Sequence, residues 1–78
     1  MLNAHVLVLN HSYLPIHVTS VRRAFSLIYQ DVARALDEGY QAFDFAAWQG
    51  LSTEGVEAVG TAGGAIRVPR VIALLHFD

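Results

Sequence analysis

From Val6 to Ile28 the chain passes from a short apolar run, through a polar turn, into an amphipathic repeat. His5 to Asn10 reads HVLVLN, rich in valine and leucine with polar residues at both ends. A run so short and so apolar fits a buried strand better than a helix. Asn10, Ser12 and Pro15 are turn formers, and Pro15 biases Leu14 toward extended geometry. Thr19 or Ser20 can cap a helix N-terminus. Beyond them Val21, Ala24, Phe25, Ile28 and Val32 recur at i, i+3, i+4, i+7 and i+11, which is one helical face. Arg22 and Arg23 fall off that face near the first turn, where positive charge opposes the helix dipole.

The end of this helix has two readings. DVARALDEG extends it to Glu38 with Gly39 as the stop, and Ala35 and Leu36 fit the apolar stripe. Alternatively the helix ends near Gln30 and a strand begins around Val32. YQAFDFAAW then places Tyr40, Phe43, Phe45 and Trp48 within nine residues, most simply as core or interface material. Asp44, between two phenylalanines, is expected to accept hydrogen bonds that lock a turn before Trp48. STEGVEAVGTAGGA reads as a loop around a short strand at Val56–Val59, with Gly63-Gly64 signalling a hairpin. AIRVPRVIALLHF reads as one long final strand, in which Pro69 implies an edge position, a bulge or a break. The pattern as a whole predicts a small α+β domain over residues 1–78: a strand, one amphipathic helix, then a few mainly antiparallel strands, in the order β-α-β-β-β.

Composition adds two facts to this outline. Hydrophobic residues make up 54% and charged residues 15% of the 78, against about a quarter charged in average domains. So short a chain has trouble burying that much apolar surface, which points to a face meant for a partner or a further domain. Net charge is −2 and lysine is absent, unlike the basic excess of a free-standing nucleic-acid binder. Arg22, Arg23, Arg67 and Arg70 remain as candidates for a local phosphate contact. No cysteine is present, so disulfides and thiolate metal sites are excluded, which fits the cytoplasm. No apolar run reaches the roughly 18 residues that cross a membrane, and Met1–His5 lacks a basic signal-peptide start.

Candidate chemistry is sparse. His5, His11, His17 and His76 match no compact ligand spacing on a helix or strand. Asp37 with Glu38 would point to opposite faces of a strand and so do not converge as paired carboxylates. Ser12, Ser20, Ser26 and Ser52 lack a nucleophile-elbow context. A phosphate loop is also excluded, since no Gly-Lys-Ser/Thr follows Gly63-Gly64. No catalytic residue, cofactor-binding residue or metal ligand is expected in this chain.

The opening block nevertheless resembles the N-terminal segment of a family of bacterial HNH endonucleases. The match covers Val6–Asn10, Ser12-Tyr13, Pro15 and Val18–Ala24. IRVPRVIALLHFD, residues 66–78, resembles the segment just before the nuclease module, and FDFAAWQGLS is similar to an Asp-Phe-x-x-Trp stretch in a subset of the family. The resemblance implies a short helix, Ser20 to Gln30, followed by a strand from about Val32, with Asp31 standing where members often carry glycine. It further implies a C-terminal nuclease module beyond Asp78, with structural zinc, a divalent metal and a histidine–asparagine–histidine set, none of which matches a position here. On this reading the chain is an accessory scaffold that packs on that module or on a second copy, with DNA reached through the full-length protein. The rival reading is a stand-alone interaction or dimerisation module without a nucleic-acid role.

Overall fold

A computed structural model of the protein describes residues 5–76; the reading of Met1–Ala4 and the Phe77 end of the expected final strand lie outside them. The chain order is β1 (His5–Leu9), β2 (Pro15–Ser20), α1 (Val21–Tyr29), β3 (Ala33–Leu36), β4 (Ala42–Phe43), α2 (Phe45–Gln49), β5 (Ala58–Thr61), β6 (Gly64–Arg67) and β7 (Val71–Leu74). The α+β class and the mainly antiparallel pairing agree with the sequence reading. Five strands form one sheet in the order β2-β1-β7-β3-β4, and β5-β6 form a separate hairpin. Among the described residues the β1–β7 pair alone is parallel; β1–β2, β3–β7 and β3–β4 are antiparallel.

Three expected elements change. Pro15–Ser20 is a strand rather than a turn running into a cap. Its apolar positions do alternate, but Ile16 and Val18 are exposed, so the pattern points away from the core that would have revealed it. The long final strand is two strands, β6 and β7, separated at Val68–Arg70. Pro69 cannot donate a ladder hydrogen bond, and its side chain is fully buried at the break. The short strand expected at Val56–Val59 begins instead at Ala58. Two further elements, β4 and α2, were absent from the β-α-β-β-β outline.

The helix question resolves in favour of the short form. Ser20 is the N-cap, its hydroxyl accepting from the Arg23 backbone N–H at 3.1 Å, and Gln30 is the C-cap. Asp31 follows with φ of 65°. This left-handed conformation is what a glycine adopts freely, so the chain turns there despite the aspartate and enters β3 two residues later. Arg34 holds the Asp31 carboxylate at 2.6 Å.

All the packing elements cover one face of the sheet. Val6, Val8, Ala33, Ala35 and Ile72 point inward against Val21, Ala24 and Ile28 of α1, Trp48 of α2, and Ile66 and Val68 of the β5–β6 segment. The opposite face carries a smaller apolar cluster of Leu9, Leu36 and Ala73, with Val71 packed against it. Leu7 and Val18, which pair across β1–β2, lie on that same face and are 36% and 54% exposed.

Candidate nucleic-acid interface

Strand direction decides where the four arginines go. β2 runs antiparallel to β1, so its end at Ser20 lies opposite His5, the start of β1. β7 runs parallel to β1 and also starts there, with Leu7 opposite Val71. β3 runs antiparallel to β7 and ends there, with Leu36 opposite Val71. The first turn of α1, the turn before β7 and the turn after β3 therefore share one end of the sheet. Arg22 and Arg23 enter from the first, Arg70 from the second. Arg67, at the end of β6, reaches Glu38 in the third at 2.8 Å. Residues as distant in sequence as Arg22 and Arg70 thus gather at one end, which no local pattern announces.

Their environments differ. Arg22, Arg23 and Arg70 are exposed and make no ion pair with a described residue. Arg67 is committed to structure: its side chain is only 18% exposed, it pairs with Glu38, and its guanidinium lies 5.7 Å from the centroid of the Trp48 ring. Its backbone carbonyl accepts the Trp48 indole N–H at 2.7 Å.

Trp48 is placed by a helix that the sequence reading took for a turn. The Asp44 carboxylate accepts from Ala47 N–H at 2.9 Å, and the Asp44 carbonyl accepts from Trp48 N–H at 2.9 Å. The expected lock before Trp48 is thus the N-cap of α2. Of the four clustered aromatics, Trp48 is buried, Phe43 and Phe45 are half-buried, and Tyr40 is 60% exposed. Phe43 meets Trp48 edge-on at 5.7 Å, and Phe45 meets Tyr29 at 5.2 Å. Three of the four are therefore core or shell material. Tyr40, with φ of 62°, sits at the rim of a groove of about 240 Å³ floored by Leu36, Val68 and Trp48 and flanked by Arg67 and Arg70. That volume falls short of the roughly 300 Å³ at which small-molecule sites begin.

Asp37 is a turn residue: its carboxylate accepts from Gly39 N–H at 3.0 Å and from Gln41 N–H at 2.9 Å. His5 and His17 lie on β1 and β2, His11 in the turn between them, and His76 beyond β7. Among the described residues no three His, Asp or Glu come together as a metal ligand set. The metals that the HNH resemblance implies therefore find no ligand set among the described residues. No helix among the described residues is long and apolar enough to cross a membrane.

Fold and surface together define a small α+β domain whose arginines lie toward one end, beside Asp37 and Glu38. A family model for the HNH endonuclease-associated N-terminal domain matches residues 6–78, nearly the whole chain. The chain belongs to that family. No curated protein and no solved structure matches it.

Proposed function

We propose that this domain is the N-terminal scaffold of an HNH-type, metal-dependent endonuclease acting on DNA. It contributes no catalytic residue, and the nuclease chemistry, with its divalent metal and structural zinc, belongs to a module that follows it. The observation carrying this reading is the family match over residues 6–78. Three exposed arginines support the DNA part of it. Arg22, Arg23 and Arg70 bring three exposed positive charges, none paired with a described residue, to one end of a molecule whose net charge is −2. Such side chains touch phosphates and set the position of the duplex without reading its sequence.

A salt titration of DNA binding by the full-length protein tests it. Arg22→Ala with Arg23→Ala is expected to weaken binding and to reduce the slope of log K against log salt by about 1 to 2, at roughly 0.9 for each phosphate no longer neutralised. An unchanged slope removes both residues from the interface.

The rival, an interaction module without a nucleic-acid role, rests on a different observation. Leu7, Tyr13, Leu14, Ile16 and Val18 are large, apolar and exposed, and all lie on β1, β2 or the turn joining them. No DNA affinity in the full-length protein at low salt would favour it.

A further inference from the structure

We infer that β2 is a homodimerisation edge, pairing antiparallel with β2 of a second copy about a two-fold axis at Val18. The inference stands apart from any role on DNA. It begins with the backbone. Leu7 donates its N–H to the Arg70 carbonyl at 3.0 Å, so Leu7 turns its hydrogen-bonding groups toward β7. In a strand these groups alternate sides along the chain. Val6 and Val8 therefore face β2, and their partners Thr19 and His17 face back toward β1. Val18, between them, directs its N–H and C=O to the open side, where no described strand lies.

An exposed edge of this kind is a template for another strand, and proteins usually blunt it with charge, proline, a bulge or shortness. β2 is blunted at one end only. Pro15 opens the strand, and the register shifts between Val8 and Leu9, leaving Ile16 as the extra residue. From Ile16 to Ser20 it carries no Asp, Glu, Lys or Arg, so two copies meet without like-charge repulsion.

The second copy is the occupant that this edge fits by symmetry. A two-fold axis at Val18 sets Val18 opposite Val18, so that the two residues exchange both hydrogen bonds. It also sets His17 opposite Thr19. Side chains that face each other across a ladder share a sheet face, so the apolar Leu7–Val18 stripes of both copies join into one. Such an isologous contact closes on itself. The far edge of the same sheet, β4, is only two residues long.

The test uses this chain over a concentration series from about 1 to 300 µM, bracketing micromolar affinities. Sedimentation should show the mass doubling from 8.5 kDa as concentration rises. Amide exchange in the same samples should show Val8 and Ile72 protected throughout, and Val18 protected only where the dimer forms. Val18→Lys places a charge on the stripe, and Val18→Pro deletes the outward N–H without touching the β1 ladder; both should stay monomeric across the series. Val56→Lys, at an exposed position away from β2, should dimerise like the parent chain. A monomer at the highest concentration overturns the inference. So does a dimer with a freely exchanging Val18 amide, or one that survives both Val18 substitutions.

Discussion

Asn10 shows how one side chain can set a strand-to-strand connection. It is buried, with 6% of its surface exposed, and its side-chain carbonyl accepts from Ser12 N–H at 2.9 Å and Leu14 N–H at 3.0 Å. Its backbone N–H donates to the Leu14 carbonyl and its own carbonyl accepts from Tyr13 N–H. Tyr13 is thereby held at φ of 66°, a left-handed conformation in which non-glycine residues are uncommon. Asn10→Ala removes two hydrogen bonds that hold this turn and should cost about 0.5–1.5 kcal/mol for each in chemical denaturation. Asp31 poses the complementary case. Asp31→Val puts a β-branched residue at φ of 65° and should destabilise by about 1–2 kcal/mol. Asp31→Gly removes the backbone cost along with an exposed ion pair worth about 0.2–1 kcal/mol, so its midpoint should stay near that of the parent chain.

At the scale of elements, α2 depends on one cap and one ring. Five residues are too few to form a helix on propensity alone. Asp44 satisfies its first turn, and burial of Trp48 ties it to β6 through the Arg67 carbonyl. Trp48→Ala should cost about 3–5 kcal/mol, as large-to-small changes in cores do, enough to unfold so small a domain. Trp48→Phe keeps much of the ring but leaves the Arg67 carbonyl unmatched, at about 1–3 kcal/mol. Both are read as shifts of a denaturation midpoint. α1 needs less from its surroundings: its apolar stripe and the Ser20 cap agree, and Ser20→Ala should cost about 1 kcal/mol.

Across the whole molecule, the sheet separates two kinds of surface. One end gathers Arg22, Arg23 and Arg70, and the β1–β2 side presents exposed apolar residues. On the proposed DNA role, Arg70→Ala should reduce the salt slope of binding by about 1 while leaving the unfolding midpoint unchanged. Arg67→Ala should behave differently, since it removes the Glu38 pair and the guanidinium over Trp48; its binding defect should come with a lowered midpoint. On β2, substitutions at Val18 should change the oligomeric state and leave the melting curve of the monomer in place.

Local patterns carry information where a side chain's neighbours are also its neighbours in sequence. The first strand, the amphipathic stripe of α1, the Ser20 cap, the Gly63-Gly64 hairpin and the Asp44 lock were all legible for that reason. The helix end was not settled by period alone, because VARAL satisfies the helical stripe and also makes β3, whose Ala33 and Ala35 face the core. Only the left-handed turn at Asp31 and the pairing of β3 with β7 choose between them. β2 was hidden because its apolar residues face outward, so burial could not mark them. The split at Pro69 became a break, among the three outcomes a proline allows, because Val68 and Pro69 are buried where β6 leaves the hairpin and β7 enters the sheet. Pattern and motif alone pointed to a small α+β domain and named the four arginines. Their meeting at one end, and the withdrawal of Arg67 into an ion pair, followed from strand direction, a property of pairing between distant segments that no stretch of the chain contains by itself.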